Sequence, residues 1–139
     1  MTLVEVLLGI TLLALICTIS FSKINLDNYK VNSFIRQLNS DIRYVRMVNK
    51  LGNSKVYIVF TTKNNCKGYI LMENGNTSKC VFLPKNINLN YSESKILFDT
   101  KGAFYMGGTT INIGKDKDYT EITIVPVSGR VLIKEGIYK

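Results

Sequence analysis

The sequence has no histidine and no tryptophan, only two prolines, and three cysteines among its 139 residues. Each shortage narrows the chemistry. Without histidine there is no imidazole acid or base and no imidazole metal ligand. Two cysteines in the body of the chain, with no histidine beside them, make a poor metal set, so neither metal nor cofactor is expected. No glycine-rich loop ends in Lys-Ser or Lys-Thr, and GGTT at Gly107–Thr110 reads as a hairpin turn rather than a nucleotide cradle. Asp116 and Asp118, between lysines in KDKD, lack the further ligand spacing of a calcium loop. No enzymatic activity is expected. There is also no proline-rich linker, internal repeat or low-complexity tract.

Acids are scarce: 10 stand against 18 lysines and arginines, for a net charge of +8. Every lysine and arginine follows residue 22, and Glu5 alone of the acids precedes it. A basic body of this kind suits phosphate, anionic lipid or acidic polymer, or simply keeps a domain soluble.

What the chain does have is a long apolar opening, MTLVEVLLGITLLALICTISFS. As a helix, 22 residues rise about 33 Å, the thickness of a bilayer core. No basic residues precede the run, as they would in a cleaved signal peptide, so a retained helix is expected. Cys17 lies within it as a small hydrophobe, and Gly9, Thr11, Thr18 and Ser20 are small enough to let helices approach closely. The chain thus divides into a hydrophobic membrane or filament-core helix at 1–22 and a globular domain at 23–139.

Glu5 stands out in that opening. A carboxylate deep in hydrocarbon costs roughly 2.5–3.5 kcal/mol or more. Either it snorkels to the interface from one turn inside the chain start, or it meets a partner. A free α-amino group on a neighbouring chain would supply such a charge and fix the lengthwise register of packed helices.

Further on, Val31, Phe34, Ile35, Leu38, Ile42 and Val45 recur at three- and four-residue steps, one stripe of an amphipathic helix. Asn39, Arg43, Arg46 and Lys50 fall on another face. Gly52 suits a C-cap, so the helix is expected to end at about residue 51. Asn25, Asp27 and Asn28 mark a bend, and the whole helix would run about 50 residues, roughly 75 Å. Past Gly52 the period becomes two. Strands are expected at 56–62, 69–73, 80–83, 87–91, 109–113, 122–125 and 131–134, with turns at Asn64-Asn65, Asn74-Gly75, Gly107-Gly108 and Ser128-Gly129. Connections this short exclude crossover helices, so pairing is antiparallel. The expected fold class is α+β: one long N-terminal helix, half membrane-facing and half amphipathic, laid on an antiparallel β-sheet.

The stretch MTLVEVLLGITLLALI resembles the mature start of type IV pilins and type II secretion pseudopilins. That family carries an aromatic residue or Met first, then Thr-Leu-Ile/Val-Glu and an unbroken apolar helix. The resemblance implies that a prepilin peptidase cuts before Met1 and methylates its amino group. It implies that Thr2, Leu3 and Glu5 serve filament assembly, with Glu5 pairing to a neighbouring subunit's N-terminus. It also implies a single-pass protein in membrane lipid, its C-terminal domain outside the cytoplasm, later drawn into a surface or periplasmic filament with other pilins.

The segments LFDTKGAFYMGGTTINI and ITIVPVSGRVLI are similar to the C-terminal half of pseudopilin H and the FimT-type minor pilins, through Phe98, Gly102, Gly107 and Gly129-Arg130-Val131. Some FimT-type pilins bind DNA through Gly-Arg-x-Arg; here Leu132 stands where the second arginine would be. By that resemblance Arg130, Lys134 and Lys139 are candidate DNA-binding residues. An extracytoplasmic domain would also let Cys66 and Cys80 form a disulfide. The functions implied are a structural or initiating subunit of a type IV pilus, secretion or competence filament, or alternatively a DNA-binding subunit displayed on one. A plain membrane anchor would have no use for Glu5.

Overall fold

The computed structural model describes the backbone of residues 2–22, 26–52, 55–115 and 118–137, and their side chains except at 18–22, 26, 115 and 137. Two helices lead, α1 (Leu3–Ser22) and α2 (Leu26–Lys50). Of the residues expected to mark a bend, Asn25 lies outside the described residues with 23 and 24, while Asp27 and Asn28 stand in the first turn of α2; two helices are described where one of about 50 residues is expected.

The stripe of α2 falls where its periodicity puts it. Phe34, Ile35, Leu38, Ile42 and Val45 are all buried, and Val31 packs against them. The helix stops for a local reason: Gly52 takes a φ of 92°, which a side chain resists, and its amide donates to the Asn49 carbonyl at 3.0 Å.

Among the described residues eight strands follow: β1 (Val56–Lys63), β2 (Cys66–Glu73), β3 (Asn76–Phe82), β4 (Asn88–Tyr91), β5 (Lys95–Ile96), β6 (Thr109–Lys115), β7 (Asp118–Ile124) and β8 (Val131–Ile137). All ladders are antiparallel. The first two hairpins turn on two residues each. Asn64 and Asn65 have φ of 52° and 60°, and Asn74 and Gly75 have 52° and 84°. Positive φ at both central positions is the type I′ geometry that matches strand twist.

The expected single sheet is instead two, ordered β3-β2-β1-β5 and β4-β6-β7-β8. After β3 the chain meets Pro84, which has no amide to continue a ladder, and β4 starts the second sheet. The two-residue β5 returns to close the free side of β1 through Ile58 and Val59. The two sheets and α2 share one core. Val56, Ile58 and Phe60 of β1, Tyr69 and Leu71 of β2 and Ile96 of β5 meet Leu89 of β4, Ile111 and Ile113 of β6, and Ile122 and Ile124 of β7. α2 packs on β1. The fold is α+β, with two helices and two antiparallel sheets.

Candidate functional site

The start of α1 explains part of Glu5 locally. The Thr2 amide donates to Glu5 Oε2 at 2.7 Å, and the Glu5 amide reaches back to Thr2 Oγ1 at 3.4 Å. This is a capping box, Thr-x-x-Glu, in which each residue's side chain accepts from the other's otherwise orphan backbone amide. The motif is legible in TLVE but was masked by the apolar run around it. Thr2, Leu3 and Glu5 therefore stand together at the helix N-terminus, while Met1 lies outside the described residues.

Beyond the box every described side chain of α1, through Cys17, is exposed. Counting Leu3 and Val4 within the box, ten exposed side chains of α1 are large hydrophobes, from Leu3 at 79% to Val6 at 44%. Covering ten such side chains is worth on the order of 20 kcal/mol at about 2 kcal/mol each. The described side chains stop short of a full span, and among the described residues no helix is long and apolar enough to cross a membrane.

In the domain, Arg130 and Lys134 are both exposed, and Lys139 lies outside the described residues. Lys134 lies on β8, an edge strand, and Arg130 immediately precedes it. Leu132, between them in sequence, is 47% exposed. The glycine before Arg130 has a packing role of its own. Gly129 is buried at a φ of 58°, and a Cβ there would collide with the Gly102 carbonyl and sit 2.9 Å from Arg46 Nε. Arg46 fills that space. Its Nε donates to the Gly102 carbonyl at 3.1 Å and its Nη2 to the Ser128 carbonyl at 2.6 Å. Arg46 thus turns inward from the face it shares with Arg43 and Lys50 and staples the end of α2 to two turns.

Comparison with protein-family models, with curated proteins and with solved structures finds no match for this chain. Its functional reading therefore stands on its own residues.

The two cysteines of the domain are separate free thiols. Cys80 faces Ile70 across the β2–β3 ladder, and Cys66 lies four residues further along β2. That is about 13 Å along the strand, well beyond the roughly 7 Å Cα limit of a disulfide. The bridge that an extracytoplasmic setting would permit is not made in this fold. Asp116 lies outside the described residues, and Asp118 opens β7 opposite Lys115. Among the described residues no cluster of three or more His, Cys, Asp or Glu side chains could hold a metal ion.

Two buried polar side chains are missing from the sequence reading. Asp41 is 6% exposed and accepts hydrogen bonds from Tyr69 Oη at 2.6 Å, Gln37 Nε2 at 3.0 Å and Lys79 Nζ at 3.1 Å. Burial, and then the bond to Asp41, push the Tyr69 hydroxyl far above its usual range, so it remains a donor. Asn49, fully buried, donates to the Val56 and Phe98 carbonyls at 3.1 and 3.0 Å. Both had a signal. They continue the apolar stripe at 38, 42 and 45 in three- and four-residue steps, and a polar residue on such a stripe must be satisfied inside. Beside Asp41 an open cleft of about 550 Å³ lies between α2 and β3, lined by Lys30, Ser33, Phe34, Gln37, Lys79 and Phe82 among others.

Proposed function

We propose that this chain is a structural or initiating subunit of a type IV pilus or a related secretion or competence filament, a minor pilin or pseudopilin. In this reading α1 is the assembly helix, held in membrane lipid before assembly and against other subunits' helices afterwards. The domain then lies outside the cytoplasm, and α2 carries its sheets as in a pilin. The observation that carries the reading is an apolar helix with every described side chain exposed, headed by a charged Thr2–Glu5 box. Such a surface calls for lipid or for like helices, and a carboxylate at its head calls for a cation. The domain itself is well packed.

The test is chemical. A prepilin peptidase would leave a methylated amine on Met1. Mass spectrometry of the assembled protein, purified from its host, should give an N-terminal peptide beginning at N-methyl-Met1. An unmethylated or N-terminally extended peptide in the assembled form overturns the reading.

A second reading, DNA binding by such a subunit, is favoured by one observation: Arg130 and Lys134 are exposed together beside an open sheet edge in a chain of net charge +8. With about three phosphate contacts, counting Lys139, affinity should fall with salt at a log–log slope of about −2.7. Affinity would lie at the non-specific level, roughly 10⁻⁴–10⁻⁶ M. Gel shifts at graded salt, with Arg130→Gln and Lys134→Gln, check this. Absence of binding at low salt removes the DNA role, and equal binding by both variants moves the site elsewhere.

A further inference from the structure

The outer face of α2 carries a pattern that its inner face does not explain. Tyr29, Ser33, Arg36, Ser40, Arg43, Met47 and Lys50 follow one another at alternating steps of four and three, and all seven are exposed. That is the spacing of a helix-pairing seam. Arg36, Arg43 and Lys50 occupy equivalent places in successive heptads, about 10.5 Å apart along the axis.

The charges of α2 are sorted by face. Its acids are Asp27 and Asp41. Asp41 is buried under Tyr69, Gln37 and Lys79. Asp27, in the first turn, is half-buried and engaged. Arg46 is turned inward to the Gly102 and Ser128 carbonyls. Among the described residues, the exposed charges of α2 are therefore Lys30, Arg36, Arg43 and Lys50, all positive. From the neighbouring strands, the Glu73 carboxylate of β2 stands against the Tyr44 hydroxyl at one side of the row.

We propose that this face docks an acidic helix of a different subunit and rejects a second copy of this chain. The proposal rests on the filament-subunit reading, in which α2 continues the chain from the assembly helix and is carried close to neighbouring subunits. Two copies packed in parallel would set Arg36, Arg43 and Lys50 each against itself. Packed antiparallel, they would set Arg43 against Arg43 and Arg36 against Lys50. Both arrangements place like charges within a Debye length along the whole seam. A partner helix with Asp or Glu at seven-residue spacing meets three opposite charges instead, with Tyr29 one heptad before Arg36 and Met47 between Arg43 and Lys50 giving it apolar contacts. The chain would enter mixed assemblies, and long runs of this subunit alone would be disfavoured.

Charge reversal tests this with the chain itself. Full-length wild type and R36E/R43E/K50E are purified in mild detergent and labelled at the exposed Cys80 for energy transfer. Association is measured alone and in equimolar mixture. The mixture should associate roughly tenfold more tightly than either parent, as three exposed ion pairs allow. Salt near 1 M, where the Debye length is about 3 Å, should erase the gain. Pairing through α1 is common to all samples, so at each salt concentration it cancels between the mixture and its parents. The single R43E variant, mixed with wild type, should give a smaller gain of the same sign, and it guards against misfolding of the triple variant. A mixture no tighter than its parents overturns the proposal, as does wild type that self-associates as tightly as the mixture. Loss of duplex-DNA binding in R36E/R43E/K50E, without any gain on mixing, assigns the face to a phosphate polymer and also overturns it. None of these outcomes bears on Met1 methylation, by which the filament reading stands or falls.

Discussion

Asp41→Ala should lower folding stability by about 3 kcal/mol, seen as a fall of roughly 2 M in the urea midpoint of the full-length chain in mild detergent. One carboxylate serves three donors at that position. Its loss leaves the Tyr69 hydroxyl, in a residue with 0% exposure, without its acceptor. An orphaned buried donor costs about 1–3 kcal/mol. The ion pair itself contributes less, because the Lys79 side chain is 36% exposed and water screens it. Lys79→Met should therefore cost about 1 kcal/mol or less, and Asp41→Asn, which keeps an acceptor for Tyr69, should fall between. Equal losses in Asp41→Ala and Lys79→Met would mean the ion pair, not the Tyr69 bond, carries the effect. Burial of the Tyr69 hydroxyl, and then the same bond, fix an alkaline limit. A tyrosine whose hydroxyl is held protonated by the fold contributes stability that is present below about pH 10, its ordinary value, and is lost as pH rises beyond it. Asp41→Ala, which removes the bond and leaves the burial, should reduce that alkaline loss in part.

Local signals were the legible part of this fold. The buried stripe of α2 and the turns at Asn64-Asn65 and Asn74-Gly75 follow from periodicity and from residues that tolerate positive φ, both properties of a few neighbouring residues. The number of sheets was not legible. Alternation in Leu89–Tyr91 or Ile111–Ile113 reports which side is buried, not which strand lies alongside, and β5, at two residues, is too short to show a period. The site divides in the same way. Thr2 and Glu5 are a spacing and can be read. The inward turn of Arg46 depends on carbonyls 56 and 82 residues away, and helix periodicity alone puts it on one face with Arg43 and Lys50. The cysteine pair shows the converse: an extracytoplasmic setting speaks only to whether a bridge is permitted, and it is the hairpin register that sets the thiols apart along neighbouring strands.

Glu5 substitutions should separate membrane insertion from assembly, with the largest effect of any single change in the chain. The structure gives Glu5 a local task, closing the capping box with Thr2. A filament role adds a second, neutralising a neighbouring subunit's amine. Glu5→Gln distinguishes them, because a glutamine keeps the box acceptor for the Thr2 amide but carries no charge. If charge pairing governs assembly, Glu5→Gln, Glu5→Ala and Glu5→Val should all enter the membrane fraction at or above the wild-type level, since each removes a costly carboxylate from hydrocarbon. All three should be lost from sheared filaments or cross-linked assemblies. Thr2→Val, which removes the hydroxyl of the box, should cost about 1 kcal/mol of helix-start stability and still assemble. If the box alone matters, the order inverts: Glu5→Gln assembles like wild type, while Thr2→Val and Glu5→Ala fail together. Incorporation is scored by immunoblot of the filament fraction against total membrane, so a variant that is merely degraded is seen as such. Normal incorporation of Glu5→Ala and Glu5→Val would return Glu5 to a residue that caps a helix and reaches for the interface, and α1 to a simple anchor.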